Sequence, residues 1–285
     1  MVDVVFGRDA GVDKDKAASD EIIADAVNEI VRRQAEIGID IVSDGELSKI
    51  SYATYIKDRI TGFGGESFRE PAQDLLDYPG VLRRREESGT RSKARPPRCI
   101  GEIRAKSMEP LETDLANLKH AIEQAPPVEA FMSAAAPGVI ALFQPNDYYP
   151  SHEAYLDALA DAMQAEYEDI VEAGFLLQID SPDIGMGRHT IFRDQSDDEY
   201  LRLANLHIEV LNHALRNIPA DRIRLHVSPT ISDINSDNTV DGIPGNGDEF
   251  FETVSTGGGE LVVGEVSIRK DELDTIFRTS LVITF

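Results

Sequence analysis

A chain of 285 residues is long enough for one large domain with a substantial core, and a single α/β barrel needs roughly 250. Its 52 acidic against 28 basic residues leave a net charge of −24, which argues against binding to nucleic-acid phosphate, since that would call for a basic patch. The single cysteine, Cys99, excludes an internal disulfide and any multi-cysteine metal cluster.

No apolar run approaches the ~20 residues that a membrane-spanning helix needs. The first residues lack the charged start and apolar core of a signal peptide, so a cytoplasmic protein is expected, with no membrane partner. The acids are spread over the whole chain and lysines are few, a pattern similar to proteins of a high-salt cytoplasm, where dense carboxylates keep a chain soluble.

In chain order, Val2-Asp-Val-Val-Phe6 is a candidate strand. A helix follows with Ile23, Ala26, Val27, Ile30 and Gln34 at helical spacing, ending at Gly38, a residue suited to the left-handed turn after a helix. The next strand, residues 39–43, ends in Ser43-Asp-Gly-Glu46, two carboxylates separated by a glycine that permits a tight turn. Residues 51–103 form an excursion too long for a plain loop, carrying a charged run near Arg83 and a basic patch up to Arg98; a hairpin is expected there, with residues 99–103 as one strand.

A helix over residues 111–124 stops before Pro126-Pro127, and residues 128–134 form a strand followed by small residues from Ser133 to Gly138 that would let a ligand approach the backbone. Ser151 is a good N-cap for a helix that sets Leu156, Leu159, Met163 and Ile170 on one face and ends at Gly174. That helix feeds Gly174-Phe-Leu-Leu-Gln-Ile-Asp-Ser-Pro-Asp183, an apolar run ending in acids, which is how a buried parallel strand delivers a carboxylate to the open end of a sheet. Asp44 stands six residues past Gly38 just as Asp180 stands six past Gly174, so two units share one grammar.

Beyond Asp183 lie a glycine-rich loop with Arg188 and His189, a capping box of Ser196 and Glu199, a helix through Ile218 and a strand over residues 222–227. The glycines 185 and 187 do not make a nucleotide-binding signature. His120, His152, His207 and His213 fall on helical patterns and read as surface or packing residues. A polar segment follows, then a strand over residues 260–266, a helix over 270–277 and a last apolar run over 281–285. Strands alternating with helices throughout indicate one α/β domain, a TIM-type (β/α)8 barrel with a hairpin insertion, with a doubly wound open sheet as runner-up.

Four motifs, Ile41-Val-Ser-Asp-Gly-Glu46, Pro96-Pro-Arg-Cys-Ile-Gly-Glu-Ile103, Gln178-Ile-Asp-Ser-Pro182 and Arg224-Leu-His-Val227, come in an order and spacing that resembles the catalytic domain of cobalamin-independent methionine synthases and their short archaeal and bacterial relatives. The resemblance covers residues 27–227. It implies a barrel in which zinc, and no cobalamin, activates a substrate thiol that takes a methyl group from a methylated folate, yielding methionine from homocysteine. It further implies that Glu46 and Asp180 hold the amino group of the amino-acid substrate, with Ser133 shaping the same pocket. Asp44 and Asp183 would support these acids or simply cap the following helices.

The family's zinc ligands are a histidine, a cysteine two residues later, a glutamate and a second cysteine. His226 matches the histidine and Glu265 the glutamate, whereas Ser228 stands where the first cysteine is expected and no later cysteine exists. The chain also ends where the family continues into its last strand or two, so the resemblance implies a barrel incomplete at its C-terminus, and the exposed strand edges predict a homo-oligomer. Beside methyl transfer stand a thiol alkyltransferase with a different electrophile, a diverged barrel that binds without catalysis, and a metal-free barrel resembling uroporphyrinogen decarboxylase.

Overall fold

The structure, a computed structural model, describes residues 2–9, 11–13, 15–67, 96–187, 190–227 and 281–284, with positions 73, 76, 79, 80, 83 and 84. In chain order its elements are α1 (Val2–Asp9), α2 (Lys16–Glu36), β1 (Ile41–Ser43), β2 (Phe63–Gly64), β3 (Arg98–Cys99) and α3 (Glu109–Gln124). There follow β4 (Glu129–Ala135), α4 (Pro137–Phe143), α5 (His152–Glu172), β5 (Leu176–Asp180), α6 (Asp183–Met186), α7 (Asp197–Leu215), β6 (Ile223–Val227) and β7 (Leu281–Thr284).

The principal sheet has the order β1-β4-β5-β6-β7. Its first four strands run parallel, so their C-terminal ends share one edge. The expected alternation of helix and strand holds here, and the helices pack their apolar stripes on the sheet. In α2 the stripe is Ile23, Val27 and Val31, in α5 Leu156, Leu159, Met163 and Ile170, all buried in one continuous core. The caps behave as their chemistry dictates: Ser151 Oγ accepts from Ala154 N and Ser196 Oγ from Glu199 N. Gly38 and Gly174 both take positive φ, which lets α2 and α5 turn sharply into β1 and β5.

Several expectations are corrected. Residues 2–6 belong to a helix, not a strand. Val5 is buried, and Arg8 ties α1 to the following segment through Asp13 and Asp20, so tertiary contacts override the β-branched composition. The small residues after Ser133 lead into a helix of their own, α4, where Pro137 presets the first turn and Val139, Ile140 and Leu142 enter the core. The hairpin of the excursion exists as β2 against β3, but its second strand is Arg98–Cys99, and residues 100–103 lie outside it. β7 joins β6 antiparallel, a departure from the all-parallel pattern, and among the described residues no pairing joins β1 to β7 to close a barrel.

A buried ionic cluster fastens the excursion to the sheet. Arg59 donates to Glu166 Oε1 at 2.7 Å and to Asp114 Oδ2 at 2.6 Å, linking the turn at Tyr55–Asp58 to α5 and α3. Tyr55 Oη donates to the same Glu166 oxygen at 2.7 Å and accepts from Ala135 N at 3.2 Å, at the very end of β4. Among the described residues, no helix is long and apolar enough to cross a membrane.

Candidate active site at the C-terminal edge of the sheet

Strand alternation sends Ser133, Gln178, Asp180 and His226 to one face, because Ser133 is in register with Gln178 and Asp180 with His226. His226 Nδ1 lies 2.9 Å from Asp180 Oδ1. A carboxylate can only accept, so Nδ1 carries a proton, and in the neutral imidazole the lone pair then resides on Nε2. Nε2 is buried and has no hydrogen-bond partner among the described residues. Gln178 fixes the carboxylate from the other side: its Nε2 donates to Asp180 Oδ1 at 3.1 Å and to Ser133 Oγ at 3.3 Å. Backbone bonds lock the strand ends, Ser181 N to His226 O at 2.8 Å and Ala136 N to Asp180 O at 3.0 Å.

Glu46 arrives from β1 on a strained turn. Gly45 and Glu46 both have positive φ, of 67° and 54°, and such a conformation at a non-glycine residue persists only where its surroundings enforce it. Asp44 enforces it, accepting from Glu46 N at 3.0 Å through Oδ1. Lys49 then grips the carboxylate, with Nζ 3.2 Å from Glu46 Oε1, and also donates to the Ser133 carbonyl at 2.5 Å. Burial holds the Glu46 carboxyl above its usual range; Lys49 pulls it back, while Asp180 and then Asp44 push it higher. Glu46 and Asp180 therefore lie close enough to feel one another.

The sequence-derived residues Glu46, Ser133, Asp180 and His226 thus meet at one edge. Asp44 shapes the turn and caps no helix. Glu265, Ser228, Arg188 and His189 lie outside the described residues.

Two histidines read as surface or packing residues belong instead to a buried chain behind the site. His207 Nδ1 lies 2.7 Å from Asp183 Oδ2, His207 Nε2 lies 2.9 Å from His152 Nε2, and Ser181 Oγ donates to Asp183 Oδ1 at 2.9 Å. Asp183 is therefore the partner of an imidazole and not the cap of α6, whose N-cap position is Pro182. His120 is exposed, and His213 pairs with Asp161 at the surface, as expected of them.

Lys49 and Gln178 escaped the sequence reading, although both carried a signal. Lys49 stands three residues after Glu46, and Gln178 stands two before Asp180, hence on the same strand face.

Among the described residues the implied zinc finds one suitable donor, the unpartnered His226 Nε2, with Asp180 oriented behind it as in carboxylate–histidine–metal arrangements. One imidazole does not make a zinc site. Among the described residues no group of three or more His, Cys, Asp and Glu side chains is placed to hold a metal, and Cys99 is buried with its thiol donating to Gly101 O. The described donor set therefore does not fit the zinc centre, and no step is routed through it.

No protein-family model matches the chain, and the comparison with curated proteins finds no match. Solved structures do resemble it. A B12-independent methionine synthase from Shewanella sp. W3-18-1, in complex with selenomethionine, matches with a TM-score of 0.53 and 20% identity over 72% of this chain and 51% of that one. A protein from Listeria monocytogenes described as a vitamin-B12-independent methionine synthase matches with a TM-score of 0.53 and 18% identity over 84% of this chain and 66% of that one. This chain thus spans between half and two thirds of the length of those proteins. At such identities the likeness is one of fold: this α/β chain, with its parallel sheet, is built like part of these methionine synthase structures.

Proposed function

We propose that this chain is a methyltransferase-like enzyme that binds a small amino-acid thiol, homocysteine or a close analogue, at the C-terminal edge of its sheet and methylates it from a folate-like donor, a step of methionine biosynthesis. The observation that carries the reading is the Asp180–His226 pair, which leaves Nε2 buried and, among the described residues, without a hydrogen-bond partner. A free thiol with a pKa of about 8.5 is mostly protonated at neutral pH, and only the thiolate attacks. His226 Nε2 takes the thiol proton, and Asp180 stabilises the imidazolium that forms. The sulfur then forms a bond to the methyl carbon as the bond from that carbon to the donor nitrogen breaks; the nitrogen keeps the electron pair and takes up the proton that the imidazolium gives back.

Asp180 uses Oδ1 for His226 and Gln178, which leaves its other oxygen, together with Glu46, for the amino group of the substrate. An ammonium between two carboxylates at a partly desolvated strand end gains charge-assisted hydrogen bonds from both. The test is a methyl-transfer assay with homocysteine and a methylated folate, run beside metal analysis of the purified protein. Methionine formed by the wild type and lost in His226→Ala supports the reading; absence of both product and thiol binding overturns it.

A second reading, binding without transfer or alkylation by a different electrophile, is favoured by Ser228 at the position where the resemblance calls for a cysteine and by the absence of any cysteine after Cys99 in the sequence. It predicts that the thiol binds and that a methylated folate yields no product.

A further inference from the structure

Lys49 brings a deeply buried charge to the site, its side chain only 2% exposed, and the transfer chemistry gives it no task. Its ammonium is fixed on three sides. It donates to the Ser133 carbonyl at the end of β4 and to Glu46 Oε1, and it lies 4.5 Å over the face of the Tyr55 ring. Tyr55 is itself immobilised by Glu166 and the Ala135 amide, so the lysine rests on a rigid platform. Glu46, in contrast, keeps 34% of its side chain open. The fixed cation therefore holds one oxygen of a carboxylate whose remainder faces outward, at a residue whose backbone is already held in a left-handed conformation.

We infer that Lys49 is a positioning and specificity-determining residue: it anchors Glu46 so that the outward oxygen meets the ammonium of an amino-acid ligand. This rests on the proposed binding of an amino-acid thiol. Glu46 and Asp180 are two carboxylates close enough to act on one another, and the Lys49 ammonium is the cation in contact with Glu46. Without Lys49 the Glu46 backbone is still held by Asp44 but its carboxylate loses its cation, and like charges in a partly desolvated site repel or take up a proton. Either outcome weakens an ammonium contact while leaving the thiol end of the ligand untouched.

The experiment uses the full-length protein and two probes, L-homocysteine and 4-mercaptobutyrate, which has the same carbon chain and thiol but no amine. Dissociation constants are measured by calorimetry for the wild type, Lys49→Met and Lys49→Arg, with a thermal melt to confirm that each variant folds. The wild type is expected to favour homocysteine by at least about tenfold, the scale of one charge-assisted hydrogen bond. Lys49→Met should lose most of that preference with little change in the affinity for 4-mercaptobutyrate, and Lys49→Arg should restore part of it.

A folded Lys49→Met that retains the wild-type preference overturns the role of Lys49 while leaving the site reading intact. If Lys49→Met weakens both probes equally, Lys49 is a scaffold residue and the inference fails. Should the wild type bind neither probe, the reading of the site falls, and the inference with it. Should Lys49→Met not fold, the preference of Lys49→Arg decides: a preference below that of the wild type supports the inference, and an unchanged one overturns it.

Discussion

Asp180 and His226 face each other across two neighbouring parallel strands, with Asp180 Oδ1 2.9 Å from His226 Nδ1. The pairing follows from register: two residues that end their strands at the same level, with side chains on the same face, must meet. It fixes the tautomer of the imidazole and leaves Nε2 as the basic atom of the site.

Replacing His226 by alanine should lower methyl transfer to a thiol by roughly 10²–10⁴, the usual contribution of a general base, while the fold is retained. Asp180→Asn should lower it as well, by removing the charge that stabilises the imidazolium. Single-turnover assays at saturating thiol, with circular dichroism as a control, check both. Turnover unchanged in both variants would remove the pair from the chemistry.

Gly138, in α4, has no room for a side chain. A Cβ there would overlap Asp183 Oδ2 and His207 Nδ1, the two atoms of a buried pair. Gly138→Ala should destabilise the protein by about 1–3 kcal/mol through overpacking and loss of that bond, read as a lower denaturant midpoint. A midpoint equal to that of the wild type would show that α4 shifts freely, contrary to its packing against α5 and α7.

Arg59 neutralises two buried carboxylates, Asp114 and Glu166. Arg59→Met should cost about 3–5 kcal/mol, because it strands two acids rather than one bond, and chemical denaturation measures this. The double variant with Glu166→Gln should recover part of the loss. Equal stability of the single and double variants would mean that Glu166 finds water or another donor.

His152 gives a pH dependence of known sign. Burial, then the neighbouring His207, lowers its pKa from 6.5 to about 4. The unfolded chain therefore takes up a proton on this residue as pH falls from 6.5 towards 4, while the folded one refuses it, and stability falls over that window. Asp114 acts in the opposite sense. Burial raises its pKa from 3.8 to about 6, so folded stability falls as pH rises between those values. The comparison that isolates His152 is the change in urea midpoint between pH 7 and pH 5, which should become less unfavourable in His152→Asn. An identical change in both proteins would mean that His152 is protonated in the folded state.

Much of this arrangement was written in local sequence. Glycine stops after α2 and α5, serine caps, and apolar strands ending in acids located the elements and placed Glu46, Ser133, Asp180 and His226 at strand ends. These are short-range effects, decided within a few residues. Misreadings arose where composition and tertiary contact disagreed. Residues 2–6 have the β-branched content of a strand, yet become a helix because Val5 is buried and Arg8 is tied to Asp13 and Asp20.

Pairing across distance was the part the sequence could not carry. His207 sits on a helical face like any packing residue, and nothing local brings Asp183 to its Nδ1 or His152 to its Nε2. Lys49 carries no local mark of burial; the Ser133 carbonyl and the Tyr55 ring enclose it only in the folded chain. The chain by itself determined which side chains stand at the ends of its strands, because strand periodicity and turn chemistry are local properties. Only the tertiary structure decided which of them touch, because hydrogen bonds and buried charges depend on the register of strands and helices far apart in sequence.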